Sequence, residues 1–88
     1  MQDDELDRLR ERINHLDEQL VRLLNERAEL AIRIGKVKEA IGTAVYDPTR
    51  ERAVLRRIDD LNTGPLDKGA IEELFAAIMT TCREIQIR

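Results

Sequence analysis

From Leu6 to Ile41 a strict 3-4 spacing marks eleven positions, and ten of them are apolar: Leu6, Leu9, Ile13, Leu16, Leu20, Leu23, Leu30, Ile34, Val37 and Ile41. The exception is Arg27. A seam of this kind specifies one long helix with a continuous apolar edge. A guanidinium keeps its proton at any ordinary pH, so burying it in that edge is costly unless an anion meets it. Either Arg27 escapes sideways to water or something negative comes to it. That alternative frames the function of the chain.

The first helix is expected to start at Asp3 or Asp4, whose carboxylates suit a cap and the positive end of the helix dipole. It should run to about Ala40, where Ile41-Gly42-Thr43 breaks the pattern. Such a helix is ~55 Å long, whereas a compact domain of this size has a radius of gyration of about 12 Å. Asp47-Pro48 opens a second helix, with Val54, Leu55, Ile58 and Leu61 on its apolar face. Asn62-Thr63-Gly64-Pro65 breaks it, and Asp67 caps a third helix with the stripe Ile71, Leu74, Phe75, Ile78, Met79, Cys82 and Ile85. The expectation is a single all-α domain over residues 1–88, with helices over roughly 4–40, 48–61 and 67–87.

Two short connections should fold helices two and three back along the C-terminal half of the seam. The stretch from Leu6 to about Leu20 then has no cover within the chain, and Val21, Leu24, Ala28, Ala31 and Ile32 make the middle of the helix apolar over more than one face. Both features point to an intertwined two-fold homodimer of long helices.

Composition narrows the function. Fifteen basic and eighteen acidic residues are interspersed along the chain, giving a net charge of −3 and no basic block, which argues against nucleic acid. Cys82 is the only cysteine, so no disulfide can form within the chain. The acidic start Met1-Gln2-Asp3-Asp4-Glu5 does not resemble a signal peptide, and no apolar run approaches membrane-spanning length. The chain reads as soluble and cytoplasmic. There is no serine, no carboxylate cluster has metal-ligand spacing, and His15 lies off the seam. An enzyme of this composition would use neither a covalent intermediate nor a metal, leaving positioning and electrostatics.

Arg27 and Lys38 lie eleven residues apart, on one helix face with Ala31 and Ile34 between them. They are separated by ~16 Å along the axis and could grip a compact polyanion at both ends. Alternatively, Arg27 simply sets helix register and Lys38 is solvated. Arg50 falls in the first turn of helix two, where the dipole prefers acids, and Glu51 follows it; the two form either a simple surface pair or part of a site facing the loop over Lys38. Gln86 shares a face with Phe75, Met79 and Cys82; either it marks where the helix leaves the core or, if it lies inside, it offers a donor without charge. Gly35 costs about 1 kcal/mol in a helix interior against alanine, which either a close helix approach or simple tolerance at that position would explain.

The run Leu9-Arg10-x-x-Ile13-x-x-Leu16-Asp17-x-x-Leu20-x-x-Leu23-x-x-x-Arg27-x-x-Leu30-x-x-x-Ile34-Gly35-x-x-Lys38 resembles the all-helical class of chorismate mutases. Asp47-Pro48-x-Arg50-Glu51-Arg52 continues the match, and Phe75, Cys82 and Gln86 complete it. The resemblance covers essentially the whole chain and is nearest to the N-terminal mutase domain of bifunctional chorismate mutase–prephenate dehydratases. It implies a cofactor-free pericyclic rearrangement of chorismate to prephenate in an intertwined dimer. By resemblance, Arg27 and a partner-supplied Arg10 bind the two carboxylates, and Lys38 and Gln86 donate to the ether oxygen. Glu51 and Asp47 hold the ring hydroxyl, and Arg50 assists at the carboxylate end. Cys82 departs from the family's usual serine, and a thiol is a weaker donor. The end at Arg88, two residues past Gln86, reads as an excised or short form, with a fused prephenate dehydratase domain as a possible neighbour. Two rival readings remain: an isochorismate-pyruvate lyase, similar in fold and site, and, from another class, a mutase-like regulatory or dimerisation module, against which the complete set of charged residues speaks.

Overall fold

The computed structural model describes the backbone of residues 2–87 and the side chains of residues 4–87. Three helices account for almost all of it: α1 (Gln2–Ile41), α2 (Pro48–Leu61) and α3 (Lys68–Gln86). α1 already begins at Gln2, so Asp4 sits inside its first turn rather than at its cap. The Asp3 side chain and Arg88 lie outside the described residues. Gly42, at φ +74°, ends α1 in the left-handed conformation, and the Thr43 N–H reaches back to the Lys38 carbonyl at 2.9 Å. Asp47 caps α2 by accepting from the Arg50 N–H at 3.0 Å, with Pro48 following at the first helical position. Asp67 caps α3 by accepting from the Ala70 N–H at 2.8 Å. Among the described residues, no helix is long and apolar enough to cross a membrane.

α3 packs against both α1 and α2, while α1 and α2 make no close backbone approach to each other. The partner of α3 on α1 is not the apolar seam. Ala31 and Gly35 are buried and Ala28 and Ile32 half-buried on the side of α1 that meets α3, whose own buried residues are Met79 and Cys82. The expected cover of the C-terminal half of the seam is therefore not what the chain forms. Leu30, Ile34, Val37 and Ile41 stay exposed, Ile41 at 69%, just as Leu6 through Leu23 do. The reason is steric. Two helix backbones approach most closely where side chains are small, and Ala28, Ala31 and Gly35 form such a stripe beside the seam.

Gly35 marks a close approach of α3 to α1. A β-carbon there would lie 3.0 Å from Gln86 Cβ and 3.1 Å from the Gln86 carbonyl oxygen. Overpacking of this kind costs roughly 1–3 kcal/mol, against the roughly 1 kcal/mol that alanine gains as a helix former. The backbone oxygen cannot give way without moving the end of α3, so the steric cost should win. Gly35→Ala is expected to lower the melting temperature in a thermal circular dichroism scan. An equal or higher value would mean that α3 is not seated on Gly35 in solution.

Between α2 and α3, Asn62 braces the turn, accepting from the Gly64 N–H at 3.1 Å and donating to the Leu66 carbonyl at 2.9 Å. Lys68 lies 4.0 Å from Asp59 and 3.9 Å from Glu72. A side-chain hydrogen bond with Asp59, then desolvation and the Asp59 charge, raise the Glu72 carboxyl above its usual range, with Lys68 opposing.

The molecule is a rod. It measures 61 × 25 × 15 Å with a radius of gyration of 16.8 Å, and the long axis is simply the length of α1. Its accessible surface is 7558 Å², roughly 2200 Å² more than a compact chain of its mass would expose. Among the described residues, the buried apolar side chains are Ala31, Met79 and Cys82 alone.

Candidate active site

The C-terminal half of α1, the start of α2 and the end of α3 enclose a cleft of about 270 Å³. Because α1 and α2 each lean on α3 and not on each other, the space between them stays open. α1 contributes Arg27, Leu30, Ala31, Ile34 and Lys38 at helical spacing, which puts two cations at either end of a small apolar floor. The α1–α2 connection brings Val45, and the first turns of α2 bring Asp47, Arg50, Glu51 and Val54. α3 closes the cleft with Met79, Cys82, Arg83 and Gln86.

Lys38 is half-buried and donates to the Val45 carbonyl at 2.8 Å, so it is not a solvated end. An ammonium has three donors, and that bond holds the nitrogen in place while leaving two. Among the described residues, neither the Arg27 nor the Arg50 guanidinium has a hydrogen-bond or ion-pair partner, although Arg27 is half-buried. Arg27 thus leans out of the seam into the cleft. Asp47 uses one carboxylate oxygen for its cap. Gln86 carries a buried Oε1 with no partner. A half-turn of a side-chain amide exchanges its oxygen and nitrogen, so Gln86 can present a neutral acceptor or a neutral donor. Cys82 is buried as a free thiol beneath the cleft.

Seven of the eight residues singled out in the sequence line this one cleft: Arg27, Lys38, Asp47, Arg50, Glu51, Cys82 and Gln86. Arg10 does not. It is exposed on α1, seventeen residues before Arg27 and hence ~25 Å away along the axis.

Sequence reasoning missed Arg83. Its Nη1 donates to Glu51 Oε2 at 2.8 Å across α2 and α3, and its guanidinium lies 4.5 Å over the Tyr46 ring. The available signal was its position beside Cys82 and three residues before Gln86 on the cleft-facing end of α3. With Arg83 included, four cations face two carboxylates, a formal excess of two positive charges matched to a small dianion.

The sequence pattern described as chorismate mutase type II matches residues 9–87. The chain belongs to the type II chorismate mutase family. Among similar proteins, the bifunctional chorismate mutase/prephenate dehydratase of Neisseria gonorrhoeae is 49% identical over 78 residues, covering 88% of this chain and 21% of that protein. The protein of the same description from Pseudomonas aeruginosa is 41% identical, covering 94% of this chain and 24% of its own length. The chain thus spans about a fifth to a quarter of these relatives. Among solved structures, chorismate mutase (form II) from Thermus thermophilus superposes with a TM-score of 0.94 at 30% identity, covering 96% of each chain. That agreement along the full length shows the uncovered rod with three helices to be the chorismate mutase fold itself.

Proposed function

We propose that the chain catalyses the rearrangement of chorismate to prephenate as a cytoplasmic, cofactor-free enzyme. The observation that carries this reading is the cleft: two unpaired guanidiniums, a tethered ammonium and a neutral amide around an apolar floor, with a charge excess of the opposite sign to the substrate.

Chorismate is a dianion whose enolpyruvyl ether must fold over its ring before a carbon–carbon bond forms and the carbon–oxygen bond breaks in one step. Nothing in that step requires a nucleophile. It requires a folded conformer, and donors where the ether oxygen gains negative charge. Arg27 takes one carboxylate and Arg50 assists at that end. Lys38, already fixed by Val45, aims its remaining donors at the ether oxygen without reorganising during the reaction. Gln86 adds a neutral donor to the same atom. Glu51 and the second oxygen of Asp47 accept from the ring hydroxyl, and Cys82 supplies a weaker contact than a hydroxyl would.

The second carboxylate goes to Arg10 of a partner protomer. The continuous exposed seam and the surplus surface support a two-fold dimer in which long helices pack along each other, bringing the N-terminal half of one α1 over the cleft of the other. In the longer protein that the relatives suggest, the chain would act as the mutase part beside a prephenate dehydratase domain, which consumes its product.

The test is direct. Purified protein, with a metal chelator present, should deplete chorismate absorbance and accumulate prephenate. Unchanged chorismate at micromolar protein would overturn the reading, and pyruvate released from isochorismate in its place would identify a lyase.

A further inference from the structure

A cleft that binds a dianion also holds the Glu51 carboxylate, and the two repel. Arg83 stands where that conflict is resolved. Its Nη1 is engaged by Glu51 at 2.8 Å, its Nη2 lies 3.5 Å from Thr80 Oγ1, and its flat face covers Tyr46 at 4.5 Å. Arg27 and Arg50 are instead left without protein partners among the described residues. Arg83 is therefore directed at the protein, and Arg27 and Arg50 at the ligand. The pair with Glu51 is part-buried, where screening by water is incomplete. Tyr46 is next to Val45, whose carbonyl Lys38 holds, so Lys38 from α1 and Arg83 from α3 hold adjacent residues of the α1–α2 connection.

We propose that Arg83 is a positioning residue for substrate binding. It offsets the charge of Glu51 and fixes that carboxylate, so that an anionic substrate can lie beside it. It also holds the connection carrying Val45 and Tyr46 against α3. The inference rests on the chorismate reading, and it assigns to Arg83 an effect on ground-state binding more than on the chemical step.

The experiment is a double-mutant cycle in KM and kcat. Arg83→Met should raise KM for chorismate about tenfold, since it leaves a part-buried carboxylate facing a dianion, with kcat changed far less. In the Glu51→Gln background, where no charge needs offsetting, the same substitution should raise KM no more than about twofold. Arg83→Lys, which keeps the charge without the planar fork, should recover much of the loss. Circular dichroism checks the fold of each protein. Should Arg83→Met fail to fold, Arg83→Gln takes its place in the cycle. Equal KM effects with Glu51 and with Gln at position 51 overturn the proposal. So does a fall in kcat at unchanged KM, which would put Arg83 on the reacting atoms. Wild-type turnover separates the two claims: an inactive parent overturns the chorismate reading as well, whereas an active parent with an additive cycle overturns the role of Arg83 alone.

Discussion

Lys38→Ala should lower kcat by about 10²–10³-fold, equivalent to ~3–4 kcal/mol of lost transition-state stabilisation. The ammonium is to meet charge that develops only as the ether bond breaks, so KM should change much less. The substitution also removes the hydrogen bond to the Val45 carbonyl, costing about 1 kcal/mol of stability. A modest fall in melting temperature should therefore accompany a large fall in rate. That disproportion identifies a catalytic group and not a structural one. Steady-state kinetics and a thermal melt on the same preparation make the comparison. A rate within threefold of the parent would remove Lys38 from the ether contact.

Arg10→Ala and Arg27→Ala homodimers should each be nearly inactive, and a refolded mixture of the two should regain about a quarter of wild-type activity. The pattern follows from the proposed dimer. Arg10 and Arg27 lie on one straight helix, ~25 Å apart along the axis and ~100° apart around it, so they cannot reach one small ligand from the same chain. Random pairing makes half of the dimers mixed. In each of these, one site collects both lesions, and the other takes intact Arg27 from one protomer and intact Arg10 from its partner. Mass spectrometry of the intact dimers reports whether mixing occurred. Mixed dimers without recovered activity would show that Arg10 is not supplied across the interface.

Much of the fold was legible because local signals and global shape agree. Asp47-Pro48 and Asp67 mark the helix starts that the structure forms, and Gly42 and Gly64 take the left-handed backbone at the two turns. Helical periodicity makes Arg27 and Lys38 legible as a pair on one face of α1, whereas the meeting of Arg50, Glu51 and Gln86 with them in one cleft was legible only through the family resemblance. The choice of partner face was not legible. Periodicity shows that Leu30, Ile34 and Val37 are apolar, but not whether α3 or another protomer will cover them. Closeness of approach decides it, and that depends on Ala28, Ala31 and Gly35, whose small side chains contribute little to an apolar pattern. Arg83 was illegible for a related reason. Its partners, Glu51 and Tyr46, come from α2 and from the connection before it, so its role exists only after three segments have met.

Among the described residues, three buried apolar side chains make a thin interior. Ordering a chain of this length costs far more conformational entropy than the burial of Ala31, Met79 and Cys82 can offset. In the proposed dimer, acquiring a shape and acquiring a partner are then one event, and the stability of the fold becomes a function of how much protein is in the tube. Each tenfold increase in concentration should add about 1.4 kcal/mol to the dimer against its unfolded chains. The melting temperature should climb with it, and dilution should take away shape and cleft together.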